Sequence, residues 1–218
     1  FGFYEEGVRV PLIVTDPTRT WTKAIGRDRT QLASSVDLAA LMLTIATGSD
    51  DWRGDSAYAH LARRADLARI LRDPEAPGRP YIAYATDEPG TTSLIPTAQQ
   101  VKPAPNHITG VRTARGKYAR YAFWKDGGNQ VDESREVQVE AYDYATRDGR
   151  RELDNLVRRR GVHRHDRAFV RRMENLLDQA MAEEIQAPLP AGLQPVQQQA
   201  YADWFSQPPG EFTWRTDN

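Results

Sequence analysis

The chain has 218 residues, of which 27% are charged, with a formal net charge of −1 and no Cys. This balance argues against a nucleic-acid partner or a membrane surface, and no apolar stretch approaches the length of a membrane span. The missing Cys rules out disulfides and thiolate metal sites and says nothing of the compartment.

The first element in chain order is a short apolar run, Val10 to Val14, broken only by Pro11. A run of this kind predicts a strand buried on both faces, as in a parallel sheet. Pro11 belongs at its start because it cannot donate to a ladder. Val14-Thr15-Asp16-Pro17 closes the run with turn chemistry. After a polar connection, Ser34 and Asp37 have the spacing of a capping box. Leu38, Leu41, Met42 and Ile45 then follow at helical spacing, and Gly48 is placed to end the helix. Ala57 to Arg72 reads as a second helix ended by Pro74.

Beyond the Pro/Gly-rich connection Asp73 to Pro80 the period changes. Tyr81 to Ala85 reads as a strand. His107 to Thr113 and Lys117 to Trp124 read as a hairpin around Ala114-Arg115-Gly116. Val137 to Tyr144 alternates as a further strand. A long helix is predicted over Asp166 to Gln186, with Phe169, Met173, Leu177, Ala180 and Ile185 on its buried face. The Pro- and Gln-rich stretch 187–218 carries Tyr201, Trp204, Phe205, Phe212 and Trp214. So many aromatics predict a tail that packs back on the domains.

Four segments resemble sulfatases of the alkaline-phosphatase superfamily, in the family's order. They are Tyr4-Glu5-Glu6-Gly7 with Arg9-Val10-Pro11; Ser35-Val36-Asp37-Leu38; Val111-Arg112-Thr113 with Lys117-Tyr118; and Ala141-Tyr142-Asp143-Tyr144 with Asp148-Gly149 and Glu152-Leu153-Asp154-Asn155-Leu156. Two departures stand out: Ser35 replaces a frequent His, and Gly149 replaces a Pro. The resemblance implies an α/β chain: the end of a large mixed or parallel sheet domain over 1–76, then a small antiparallel sheet with a covering C-terminal helix over 77–186. The aromatic tail occupies 187–218. It also implies a sulfuric ester hydrolase in the full-length protein and a C-terminal portion that is inactive alone. The chain's start at Phe1 rather than Met fits a fragment.

The chemistry of such an enzyme needs a nucleophile, a divalent cation and an acid for the leaving alcohol. The family makes its formylglycine nucleophile in (Cys/Ser)-x-Pro-x-Arg, and no such motif occurs here. Thr15-Asp16-Pro17-Thr18-Arg19 has the spacing, but Thr cannot become formylglycine. No catalytic residue and no metal ligand is therefore expected in this chain, and the Ca²⁺ of the family enzyme is implied upstream. So is a sulfate-contacting Lys, one residue before Phe1. The implied partners are a sulfate-ester substrate and the missing N-terminal half.

Within the chain, Phe1, Phe3, Tyr4 and His107 are candidates to line the substrate pocket; core packing explains the aromatics equally well. Arg9 reads as a buried structural cation. The acidic pairs Glu5-Glu6, Asp50-Asp51, Asp87-Glu88 and Asp132-Glu133 read as surface charge. His163 and His165 lie in a basic run that reads as a solvated helix start. Two other readings stay open: a phosphodiester or phosphonate monoester hydrolase of the same superfamily, and a non-catalytic binding module.

Overall fold

The computed structural model describes residues 2–23, 26–87, 105–125, 130–158, 161–185 and 192–206, with Arg158, Tyr201 and residues 204–206 described by backbone alone. The chain divides into two compact units. One comprises Phe1–Tyr4, Ala83–Val111 and Arg115–Asn218; the other comprises Glu5–Ile82 and Arg112–Ala114.

The second of these units is helical. Its regular elements are α1 (Glu5–Val8), α2 (Leu38–Thr47) and α3 (Leu67–Arg72), joined by single 3₁₀ turns. The predicted capping box is formed: the Ser34 amide donates to Asp37 Oδ2 at 3.1 Å, ahead of α2. Gly48 ends α2 at φ 78°, a left-handed conformation that favours a residue without Cβ. Leu41, Leu67, Ala68, Ile70 and Ala76 form the core, with Trp21, Leu38 and Leu71 against it. Arg29 donates to the carbonyls of Ile70 and Leu71, satisfying the orphan acceptors at the end of α3.

Two expectations are corrected here. Ala57 to Arg72 is not one helix: a 3₁₀ turn at Ser56–Tyr58 and α3 are separate. Asp55 caps the first and Asp66 the second, and Arg53 takes the carbonyls of Ala62 and Arg64 that a continuous helix would use. Nor is Val10–Val14 a strand. Val10 is 75% and Ile13 85% exposed. No strand precedes Ile82 among the described residues, so the large parallel sheet is not present in them. A two-sided apolar strand is stable only between neighbouring strands, and no described segment supplies them.

The other unit carries the four-stranded antiparallel sheet: β1 (Ile82–Asp87), β2 (His107–Thr113), β3 (Gly116–Ala122) and β4 (Gln138–Asp143), in the order β1-β2-β3-β4. Lys117 faces Tyr142 and Ala119 faces Glu140 across β3 and β4. After β4 come the short helix α4 (Arg147–Arg150) and a two-residue ladder between β5 (Val157–Arg158) and β6 (Gly161–Val162). Helix α5 (Arg167–Ala180) then packs on β3 and β4 through Val170, Met173, Leu177 and Ala180, and continues as a π turn over Met181–Ile185. Val170 takes the buried place expected of Phe169, which is half-buried with the Arg172 guanidinium 5.4 Å from its ring.

Helix α6 (Gln194–Ser206) was not foreseen in the Pro/Gln-rich stretch. Pro195 is tolerated there because it falls in the first turn, where an amide would be unbonded anyway. The expected packing of Tyr201, Trp204, Phe205, Phe212 and Trp214 lies outside the described residues.

Candidate functional site

Side chains alternate between the two faces of a sheet, so the identity of each face follows from one contact. Tyr118 and Arg120 of β3 reach Glu174 and Asp178 of α5, which defines the helix-covered face. Lys117 and Tyr121 project from the opposite face, and there they meet the N-terminal segment.

Phe3 is the centre of that second face. It is buried, and its ring stacks on Tyr84 at 4.5 Å and 16°. It lies directly over Gly110 of β2: a Cβ built at Gly110 would stand 2.6 Å from the Phe3 ring. Gly110→Ala is therefore expected to destabilise the chain by about 1–3 kcal/mol, the usual cost of overpacking. Urea unfolding with an unchanged slope measures it. A neutral result would mean that Phe3 slides without loss.

Around Phe3 runs a polar network. Its amide donates to Tyr121 Oη at 3.2 Å, and its carbonyl accepts from Lys117 Nζ. Tyr121 donates to Glu140 Oε2 at 2.8 Å, and Tyr4 donates to Glu140 Oε1 at 3.0 Å. Burial pushes the Tyr121 and Tyr142 phenols up, with the Glu140 charge adding to it, so both stay protonated as donors. Lys117 Nζ sits 5.0, 5.4 and 5.7 Å from the ring centres of Phe3, Tyr4 and Tyr142, and pairs with Glu152. Tyr144 donates to the same carboxylate at 3.0 Å. The network holds a strap, Phe3–Tyr4, against the sheet. Lys117 pairs with Glu152, and Glu140 takes the two phenol donors, which suits anchoring.

His107 lies elsewhere. It opens β2, three residues before Gly110, so its side chain projects from the helix-covered face. Its Nδ1 is 2.6 Å from Asp87 Oδ1, which also accepts from Trp124 Nε1 at 3.1 Å; the Trp124 ring centre is 4.1 Å from the imidazole. The carboxylate orients the ring and the indole covers it. Phe3 and Tyr4 thus stand on one face of the sheet and His107 on the other, so the structure does not unite them in one pocket. Phe1 lies outside the described residues.

The remaining charged candidates are placed as follows. Glu5 is not a surface charge: its carboxylate receives Arg112 Nε at 3.1 Å and the second guanidinium nitrogen at 3.2 Å. Asp50 accepts from Thr44 Oγ1 at 2.7 Å and lies within ion-pair distance of Arg53 and Arg72. Arg9, expected to be buried, is exposed. Asp16 organises its own turn, with the Thr18 hydroxyl first and the amides of Trp21 and Thr22 next holding its carboxyl down at about 2. His163 and His165 are exposed, their rings stacked at 5.7 Å.

Sequence reasoning missed Asp87, Trp124, Tyr121 and Glu140 as site residues. The alternation of β3 and β4 held part of the signal, since it places Tyr121 and Glu140 on the face of Lys117. Among the described residues no group of three or more His, Asp or Glu converges to hold a cation. No family model, no curated protein and no solved structure matches the chain.

Proposed function

We propose that this chain is the C-terminal part of a sulfatase that hydrolyses a sulfate ester, with the formylglycine nucleophile and the Ca²⁺ ligands upstream of Phe1. The observation that carries the reading is the pairing of the segments of resemblance with one another. Glu5 of Tyr-Glu-Glu-Gly pairs with Arg112 of Val-Arg-Thr, 107 positions away. Lys117 of Lys-Tyr pairs with Glu152 of the last segment. Asn155 of that segment accepts from the amides of Ala141 and Val157 and donates to Val139 O. Motif residues that lock together give a physical reason for three of the four segments to occur in one chain; the second, Ser35-Val36-Asp37-Leu38, makes its bonds outside the other segments.

The exposed run Val10–Val14 fits the same reading. In the full-length protein it becomes a strand of the large mixed or parallel sheet whose other strands lie in the N-terminal half.

Two measurements test this. The isolated chain is expected to show no turnover of an aryl sulfate with added Ca²⁺; metal-dependent turnover well above buffer overturns the reading. At the locus, the codon before Phe1 is expected to be Lys, because a cation there stabilises charge growing on the sulfate oxygens. Further upstream (Cys/Ser)-x-Pro-x-Arg is expected, preceded by an Asp-Asp pair suited to a hard cation. A Thr nucleophile with two-metal ligands would move the assignment to the phosphodiester or phosphonate monoester hydrolases. An in-frame stop just upstream would leave a non-catalytic binding module.

A further inference from the structure

One strongly charged surface takes no part in the networks above. Arg164, Arg167, Ala168, Arg171, Arg172 and Asn175 line a shallow groove of about 540 Å³ along the N-terminal half of α5. Ala168, Arg171 and Asn175 recur at i, i+3 and i+7, on the side of the helix away from Met173 and Leu177, and Arg164 lies in the turn before it. All six residues are exposed. Among the described residues none of the four guanidinium groups pairs with a carboxylate: Arg167 reaches Val162 O at 3.4 Å, and Arg172 lies over Phe169. The nearby acids are engaged otherwise, Asp166 with His165 and Glu174 and Asp178 with Arg120.

Folding alone disfavours this arrangement. Cations at the start of a helix oppose its dipole, and Arg167 and Arg171 repel each other at i, i+4. A bound polyanion removes both costs.

We propose that this groove binds the chain of a sulfated polysaccharide. The proposal rests on the sulfatase reading and names its substrate class. Arg rather than Lys supplies every cation, and the planar fork suits the paired oxygens of a sulfate group. The other lining residues, Ala168 and Asn175, offer no ring on which a nucleobase could stack, which disfavours single-stranded nucleic acid.

The test is binding of the whole chain to heparin, to chemically desulfated heparin and to single-stranded DNA of similar length. Heparin is expected to bind with an affinity that falls steeply with salt, the desulfated polymer and the DNA much more weakly. Arg164→Ala/Arg171→Ala is expected to weaken heparin binding by about tenfold or more, as for the loss of charge-assisted hydrogen bonds. Neither side chain supports the core, so the variant folds. Arg63→Ala/Arg69→Ala removes the same charge from two exposed residues that do not line the groove and should leave binding within about twofold, because net charge is unchanged between the two variants and only the groove differs. Equal losses in both variants, or DNA binding as tight as heparin, overturn the proposal. The readout needs no upstream half. A locus without the sulfatase motif leaves a positive result standing as glycan binding without hydrolysis, and failed binding leaves the locus test untouched.

Discussion

Lys117→Met is expected to cost about 3–5 kcal/mol of unfolding free energy, the range for removing one partner of a buried ion pair. The side chains of Lys117 and Glu152 are only 1% and 4% exposed. Without the ammonium, the buried Glu152 carboxylate loses its cation while the Tyr144 hydroxyl stays, and the Phe3 carbonyl loses its Lys117 donor. Glu152→Gln should cost less than Lys117→Met, because an amide still accepts from Lys117 and Tyr144. Lys117→Met combined with Glu152→Leu should recover most of the loss, since apolar groups of similar volume replace a buried pair at little cost. Urea unfolding of Lys117→Met, Glu152→Leu and the double variant gives the coupling energy. A single-mutant cost below about 1 kcal/mol would be the value of a solvent-screened surface pair and would remove the network from any role in holding Phe3.

The contrast between the two units explains what could be read in the sequence. The antiparallel sheet was legible because each strand carries its own turn and period: Ala114-Arg115 makes the reversal, and β2 runs over the predicted residues His107–Thr113. Helix α5 was legible from Met173, Leu177 and Ala180. Val10–Val14 misled because apolar runs encode burial, not the identity of the covering surface. Ala57–Arg72 misled because Asp66, read as an ordinary helical position, is an N-cap. The site was harder. Glu140 and Asp87 acquire meaning only through Tyr121, Tyr4, His107 and Trp124, which lie 19 to 136 positions away. No local pattern encodes such pairings, and the face assignment that separates Phe3 from His107 needs the contact between Phe3 and Gly110.

The second large effect is expected at Asp37, in the segment Ser35-Val36-Asp37-Leu38. Its carboxylate is fully buried and accepts four hydrogen bonds: from the amides of Ser34 at 3.1 Å and Ala65 at 3.0 Å, and from Arg79 Nε and a second Arg79 nitrogen at 2.7 and 2.8 Å. One side chain thus caps α2, fixes the turn before α3 and neutralises a guanidinium that is 9% exposed. Asp37→Ala removes the carboxylate that holds this guanidinium and takes the acceptor from the two amides. A loss of about 4–5 kcal/mol is expected, at the upper end for a broken buried pair. Against a total stability of about 5–15 kcal/mol for an ordinary domain, this brings the helical unit close to unfolding at room temperature. Asp37→Asn keeps the shape but turns an NH₂ towards the Arg79 donors, so about 2–4 kcal/mol is expected from the lost charge-assisted bonds. Ser34→Ala, by contrast, should cost only about 1 kcal/mol, because it removes the hydroxyl's half of the capping box while the bond from the Ser34 amide to Asp37 survives. Hydrogen exchange separates this role from a merely local cap. In Asp37→Asn the amides of Ser34 and Ala65, 31 positions apart in sequence, should lose protection together. Loss at Ser34 alone would reduce Asp37 to a helix cap and sink the claim that it joins the two helices.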